Sequence, residues 1–409
     1  MRYGSSSILQ SRRRSTNIGT SGAQRKHRPD YVLVVLMGCL LVMGAMVVYA
    51  IGPGLTSGTD LPANYYSNKQ LISIGLGIGA FIIASRIPVQ RWKVLQPYIA
   101  VAAMIIALLV RFIGEEINGA HRWVQVGGLS FQAAELIKLA IVLWLAQYLV
   151  KQRLDQTLHM AKTFQTLGIL AGIVVVVVAG LQSDLGSAAV MLAIIGIMAF
   201  VAGLPMKRLA IALVVVVLAA TLAIAVTPYR RDRVKTFLNP TSDCQNEGYQ
   251  ACQALITIGS GGMFGKGLGR SVQAYGYLPE PANDSVFAIV AEKFGFAGSV
   301  SVLVIFWLLF KRIIKIAQSA PSDYARLLVV GVLVWISVQM MINVGAMVGL
   351  LPLKGITLPF ISYGGTSIIF VLTAMGILFQ ISRFTELTST SVEENSRIKT
   401  KTLPSWRRA

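Results

Sequence analysis

Charge is what this chain has little of. Asp, Glu, Lys and Arg make up 13% of its 409 residues, where a soluble chain carries about a quarter. Acidic residues are the scarcest: 17 Asp and Glu stand against 37 Lys and Arg, a formal net charge of +20. Histidine is limited to His27, His121 and His159, too scattered for a ligand cluster, and no Cys/His spacing suggests a zinc site. Of the three cysteines, Cys39 sits in the first apolar run and is expected to be a small buried hydrophobe. Cys244 and Cys252 share one long loop, where a disulfide and two separate thiols are equally open. No nucleic-acid-binding motif is present, and the charges sit between apolar runs. The basic excess therefore points to an anionic membrane leaflet, not to nucleic acid.

What is there is hydrophobic: 55% of the residues, with a positive mean hydropathy. Globular packing cannot hide that much apolar surface, so part of the solvent must be lipid. After a polar, Ser-rich and basic segment at 1–30, ten apolar runs follow. They are Tyr31–Ile51, Leu71–Ile87, Val94–Ile113, Ala133–Val150, Leu167–Leu181, Ser187–Leu204, Leu209–Val226, Val286–Phe310, Ala325–Val348 and Ser367–Ile381. Each is near the roughly 17–25 residues that cross a bilayer as helix. The predicted fold class is all-α: a polytopic membrane protein of about ten transmembrane helices. The first segment lacks a cleavage site and reads as a disordered cytoplasmic tail.

Every second loop carries the cations: Arg86, Arg91 and Lys93; Lys151, Arg153 and Lys162; Lys207 and Arg208; Lys311, Arg312, Lys315 and Arg326. The tail at 385–409 falls on the same side. The positive-inside rule then puts both termini in the cytoplasm. The long loop at 227–285, between the seventh and eighth helices, falls outside. It carries Arg230, Arg231, Arg233 and Lys235 against that bias, and a long loop crosses whatever its charge.

Four polar stretches interrupt the lipid-facing sequence, and all four abut helix ends on the outer side. They are Asn118–Trp123 followed by Glu135 and Lys138; Gln182–Ser187; Gly259 to Asp284; and Leu351–Gly365. Ionisable groups at membrane depth are costly and point to function by default. Glu135 and Lys138 share a helix face at a spacing of three and are read first as a structural ion pair. The adjacent Glu292 and Lys293 point about 100° apart and should not pair with each other. The stretch Gly259–Gly269, with Lys266 and Arg270, offers backbone N–H groups that suit phosphate. It lacks Walker spacing, and by itself reads as a flexible loop. Asp284 lies where the long loop meets the eighth helix. A carboxylate partly desolvated there gains basicity and could take a proton from a hydroxyl nucleophile. Lys354 could neutralise a pyrophosphate leaving group.

These stretches resemble the SEDS family (shape, elongation, division and sporulation) from Asp30 to Phe384. Asn118-Gly-Ala-His-Arg-Trp123 is similar to its Asn-Gly-Ala-x-Arg-Trp motif, and Gln182–Ser187 to Gln-Pro-Asp-Leu-Gly-Thr. Gly248-Tyr-Gln250, Ile258-Gly-Ser-Gly-Gly262, Gly265-Lys-Gly-Leu-Gly269, Ser271-Val-Gln273 and Tyr277-Leu-Pro-Glu280 fit the large outer loop. Pro359-Phe-Ile-Ser-Tyr-Gly-Gly365 fits the last motif. The resemblance implies a glycosyltransferase that polymerises lipid II into glycan strands, with Asp284 as general base. It implies a substrate cavity served by Arg122, Glu135, Lys138, Lys266, Arg270, Glu280, Lys354 and Ser362, with no metal ligand. Lys354 in Pro352-Leu-Lys-Gly355 is closer to the division-type FtsW branch than to the elongation-type RodA branch.

The sequence departs from the family pattern at Asn283-Asp284-Ser285 (usually Thr-Asp-Phe), Gln132-Ala-Ala-Glu135 (Gln-Pro-Ser-Glu), Gln182-Ser-Asp184 (Gln-Pro-Asp) and Glu292-Lys-Phe-Gly295 (Glu-Glu-Leu-Gly). The resemblance also implies partners: lipid II and the growing strand, a class B penicillin-binding protein transpeptidase, other division proteins and membrane lipid. It implies a place in the bacterial inner membrane at the division septum. No cofactor is certain; a divalent cation such as Mg stays open. A lipid II flippase, a RodA-like elongation polymerase and a non-catalytic scaffold are the competing readings.

Overall fold

Each of the ten apolar runs folds as helix. The computed structural model describes residues 24–26, 28–117, 120–126, 129–226, 244–245, 248–270 and 272–386. Most of both expected tails, and residues 227–243 with Arg230, Arg231, Arg233 and Lys235, lie outside the described residues. The body considered below is Lys26–Thr385.

The helices are α1 (Tyr31–Thr56), α2 (Tyr65–Arg86), α3 (Val89–Ile113), α4 (Ala133–Leu154), α5 (Ala161–Ile173), α6 (Leu185–Ala202), α7 (Met206–Val226), α8 (Tyr249–Ser260), α9 (Val286–Gln318), α10 (Asp323–Met347) and α11 (Gly365–Ile381). α5 runs on through a wider π-helical turn at Val174–Leu181. Among the described residues, seven spans are long and apolar enough to cross a membrane: α1 to α4, α5 with its extension, α6 and α10. α11 is a shorter apolar helix, and the expected seventh and eighth runs coincide with α7 and α9. The chain is therefore a multi-pass, helical membrane protein.

Burial is arranged for two solvents. Trp335, Phe306, Leu143, Leu145, Val190 and Val371 are fully enclosed between helices, while Val35, Tyr49, Leu71, Ile83, Val94, Ile211 and Leu213 point outward. Apolar side chains on the outside are stable where the surroundings are hydrocarbon. Cys39 belongs to the outward set. This corrects its expected burial: small size does not choose a helix face, and its face is turned outward.

α10 runs through the middle, against α4, α6 and α9, while α2 lies along α11. Close approach is made by glycine. A Cβ at Gly44 of α1 would meet the Ile361 backbone, and one at Gly77 of α2 would meet Leu372 of α11.

Two elements between α1 and α11 were not foreseen in the sequence. Glu115–Ile117, Ala120–Val126 and Leu129–Gln132 form a three-stranded antiparallel sheet ahead of α4, with Trp123 opposite Gln132 and Val126 opposite Leu129. The long loop contains α8, which packs on α9.

Candidate active site

Asp284 sits two residues before α9 begins, half-buried. Its surroundings come from three places in the chain. Its own turn brings Glu280, which adopts φ 48° and accepts a bond from Asn283 Nδ2. The Glu280 carbonyl accepts the N–H groups of Asn283 (3.1 Å) and Ser285 (3.2 Å). α8 brings Gln250, whose Nε2 donates to Ser285 Oγ at 3.4 Å, and Ser285 Oγ in turn lies 3.4 Å from Asp284 Oδ1. α10 brings Asn343, whose Nδ2 donates to the Asp284 carbonyl at 2.7 Å and to the Ile356 carbonyl at 2.8 Å.

This setting pushes the Asp284 carboxyl up to about 7. Burial is the largest cause, and the charge of Glu280 adds to it. Hydrogen bonds from Gln250, its own backbone and Ser285 oppose the rise. A carboxyl at about 7 is matched to proton transfer near neutral pH.

The segment ahead of α11 closes over the same turn. Ser362 Oγ donates to the Asn283 carbonyl and accepts the Leu358 N–H at 2.7 Å. Tyr363 N–H donates to the Ala282 carbonyl at 2.8 Å. Ser362 is therefore within the Asp284 neighbourhood, holding backbone. Lys354 lies two residues before Ile356, which Asn343 ties to Asp284. A Cβ placed on Gly186 would fall 2.4 Å from Ile356 and 3.3 Å from Lys354. The Gln182–Ser187 motif thus abuts the Lys354 segment. Within that motif Asp184 caps α6, accepting the Ser187 N–H at 2.9 Å, and its other oxygen lies 3.4 Å from Gln132 Nε2.

Glu135 and Lys138 pair as their spacing implied, at 2.8 Å, both buried. Lys138 Nζ also donates to Gln339 Oε1 at 2.8 Å. Gln339 in turn donates to the carbonyl and hydroxyl of Thr357 at 3.0 and 3.2 Å, and Thr357 Oγ1 lies 3.1 Å from Ser367 Oγ. Gln339 and Asn343 are four apart on α10, on one face. Side by side, they fix Thr357 and Ile356.

The glycine stretch is a fixed strap. The N–H groups of Gly265, Lys266 and Gly267 donate to the carbonyls of Gly261, Glu292 and Lys293 at 2.9, 2.9 and 3.0 Å. Those N–H groups are used within the fold and do not form an open phosphate cradle. The strap crosses α9 where that helix breaks at Gly295 (φ 68°). Lys266 lies 3.6 Å from Glu292. Glu292 is the seventh residue of α9, about two helical turns beyond its start. Arg270 is exposed beyond the strap. Arg122 lies in the three-stranded sheet, and its side chain is outside the described residues. The structure thus gathers Asp284, Glu280, Ser362 and the Lys354 segment, sets Glu135 with Lys138 beneath them, and leaves Lys266 and Arg270 to the side.

Sequence reasoning gave no role to Gln250 or Asn343. Gln250 was visible as part of Gly248-Tyr-Gln250. Asn343 had a signal of its own: with Gln339 it places two amides one turn apart in an apolar run. The loop cysteines form a disulfide, Cys244–Cys252, with Cα atoms 5.6 Å apart.

Comparison with known proteins covers most of the chain. The family described as cell cycle protein (FtsW, RodA, SpoVE) matches residues 31–387. Stage V sporulation protein E of Bacillus subtilis is 34% identical over 363 residues, 88% of this chain and 98% of that protein. The probable peptidoglycan glycosyltransferase FtsW of Nitrosomonas europaea is 37% identical, over 86% of this chain and 92% of its own. Among solved structures, a chain from a peptidoglycan synthase complex that coordinates polymerization and crosslinking superposes with a TM-score of 0.73 at 29% identity. That match covers 87% of this chain and 98% of the other. Thermus thermophilus rod shape determining protein RodA superposes with a TM-score of 0.63 at 28% identity, over 87% and 97%.

Proposed function

The chain belongs to the FtsW, RodA and SpoVE family of cell cycle proteins, and from that premise we propose that it polymerises lipid II into glycan strands, as an FtsW-type peptidoglycan glycosyltransferase serving the division septum. The observation that carries the reading is Asp284: a half-buried carboxyl raised to about 7, tied through Asn343 to the segment of Lys354. The acceptor sugar hydroxyl attacks the anomeric carbon of the donor, forming the new glycosidic bond. The bond from that carbon to the pyrophosphate oxygen breaks. Asp284 takes the hydroxyl proton, and Lys354 and Arg122 offset the charge of the departing lipid pyrophosphate. Ser362 and Asn343 hold the two sides at a fixed spacing, which is where positioning contributes. Glu135 and Lys138 support the segment from below through Gln339.

We propose as partner a class B penicillin-binding protein transpeptidase that crosslinks the new strand. The likeness to a chain of a peptidoglycan synthase complex supports that pairing. Both termini are proposed to be cytoplasmic, with Asp284 at the outer leaflet. A divalent cation such as Mg is a further proposal. Among the described residues no group of three His, Cys, Asp or Glu side chains could hold a metal alone. Mg²⁺ asks one or two carboxylates of a protein and takes the rest from water and phosphate, and Glu280, exposed beside Asp284, meets that demand. Bound there, it would neutralise pyrophosphate.

The experiment is lipid II given to the purified protein with its transpeptidase partner. Glycan polymer is expected from the natural protein and none above background from Asp284→Asn. Full polymerisation by the variant would remove the proposal. Lipid II crossing a vesicle bilayer equally well with either protein, and no polymer from either, would establish the flippase instead.

A further inference from the structure

At the end of the bundle opposite Asp284, on the face that carries the basic loops, three helix junctions meet around Arg153. The turn after α4 is tightly folded. Asp155 N–H donates to the Lys151 carbonyl and Thr157 N–H to the Gln152 carbonyl, both at 2.9 Å. The enclosed Thr163 Oγ1 of α5 donates to the Thr157 carbonyl at 2.9 Å. The junction of α6 and α7 lies against this turn: a Cβ at Gly203 would fall 3.8 Å from the buried Leu158. Arg208 Nη1 donates to the His159 carbonyl at 2.9 Å, and its guanidinium lies 4.6 Å from the centre of the Phe164 ring. Between the two junctions is a cleft of about 380 Å³ lined by Arg153, Gln156, Leu158, His159, Ala202 and Gly203. A smaller hollow shares Arg153 and Ala202 and reaches Asp323 and Arg326 at the start of α10.

We propose that this cleft binds the phosphate headgroup of an anionic phospholipid, taken from the leaflet on the same side of the bilayer. Two observations carry it. The first is charge: the three junctions supply Lys151, Arg153, Lys162, Lys207, Arg208 and Arg326 against Asp155 and Asp323, an excess that draws an anion. The second is the apolar collar. Leu154, Met160 and Met206 are 75%, 57% and 61% exposed beside the cleft. A free phosphate would have no use for them, whereas a lipid lays its acyl chains there while its phosphate meets the cations. Arg153 is the anchor. Its contact with Asp323 is long, at 3.5 Å, and both side chains are about half exposed, so that pair contributes little and is readily exchanged. A guanidinium donates two parallel bonds to a phosphate. Arg326 faces the same hollow, and Arg208, held by the His159 carbonyl and Phe164, shapes the wall. A lipid seated there would clamp the ends of α4, α6 and α10. In the orientation proposed above, its leaflet is the cytoplasmic one.

The test titrates the full-length protein, in a neutral detergent, with dioleoyl phosphatidylglycerol and counts bound lipid by native mass spectrometry. Saturable binding is expected, with dioleoyl phosphatidylcholine at least about tenfold weaker. Arg153→Ala/Arg326→Ala should weaken phosphatidylglycerol binding about tenfold or more. Arg86→Ala/Arg91→Ala removes the same charge from the turn between α2 and α3 and should stay within about twofold. Leu154→Ser/Met206→Ser keeps the charge and should weaken binding about threefold or more. Sodium phosphate at millimolar concentration should leave lipid binding within about twofold. All six substituted side chains are exposed, so the fold does not depend on them. Equal losses in the two arginine doubles would reduce the effect to diffuse attraction by basic loops and overturn the proposal. Unchanged binding by Arg153→Ala/Arg326→Ala or by Leu154→Ser/Met206→Ser would overturn it too, and so would displacement of the lipid by free phosphate. In detergent the result is independent of the orientation of the molecule and of its polymerase activity.

Discussion

At the scale of single residues, the chemistry turns on how each buried ion is compensated. Asp284 is raised to about 7, against about 3.9 for a free aspartate. Two consequences of opposite sense follow. In its proposed role as base it must be deprotonated, so polymerisation should fall about tenfold per pH unit below 7 and level off above it. Steady-state rates between pH 5.5 and 8.5 check this. For stability, the folded protein holds a proton between pH 4 and 7 that the unfolded chain has released. Asp284 thus favours the fold least above pH 7, with stability declining as pH rises through that window. Asp284→Asn removes the ionisation and should melt higher than the natural protein at pH 8, with the gap closing at pH 5. A lower melting temperature at pH 8 would contradict the crowding described here.

Lys138 obeys a stricter rule. It is fully buried against Glu135 and Gln339, and Glu135 Oε2 is buried with no hydrogen-bond partner among the described residues. Lys138→Met leaves an uncompensated carboxylate, and the loss of one partner of a buried pair costs about 3–5 kcal/mol. The double variant Glu135→Gln/Lys138→Met should recover part of that loss, read as melting temperature in detergent. Recovery is the informative outcome, because it separates stranded charge from lost packing.

At the scale of elements, the decisive feature is the break in α9. At Gly295 the chain adopts φ 68°, and a Cβ there would fall 2.3 Å from Gly265 N. A Cβ at Gly265, itself at φ 81°, would fall 2.2 Å from the Lys293 carbonyl. Two glycines from distant parts of the sequence thus meet backbone to backbone, which a side chain forbids. Gly295→Ala should cost about 2 kcal/mol or more from the left-handed conformation and the clash together. Gly75→Ala on α2, with open space around its Cα, is the control and should melt within a degree of the natural protein. Asn343 acts between elements. Asn343→Ala breaks both of its bonds and should lower kcat more than it raises KM, because it moves the base relative to Lys354 without removing a group from substrate.

At the scale of the whole molecule, the apolar outer face and the alternation of basic loops describe a protein threaded through a bilayer. The proposed orientation has a direct readout. In intact cells a membrane-impermeant maleimide should label Tyr277→Cys, exposed on the outer loop, and should leave Gln156→Cys, exposed between α4 and α5, unlabelled until the membrane is opened. The reverse pattern would turn the molecule over and take Asp284 away from any outer-leaflet substrate.

How much was legible follows the same scales. The ten helices could be read because lipid exposure demands long apolar runs, and a run of near-spanning length has one stable form in hydrocarbon. The Glu135–Lys138 pair could be read because helix geometry alone puts residues three apart on one face. Asp284 was visible through its motif and its place at a helix boundary. α8 and the outer sheet were not, because short polar segments outside the bilayer carry no periodicity strong enough to separate them from loop. The glycine stretch offered N–H groups that suit phosphate and by itself read as a flexible loop; the fold pairs the Lys266 and Gly267 N–H groups with α9 carbonyls, since an unpaired backbone donor packed against a helix is costly.

The sequence by itself therefore determined the solvent and the helices, because these depend on composition and local spacing, and it pointed to Asp284 as the acid through its motif. Only the tertiary structure decided what surrounds that acid. Gln250, Asn343, Ser362 and Lys354 lie tens of residues from Asp284 along the chain. The elements that carry them come to its turn by long-range packing, which no local pattern encodes.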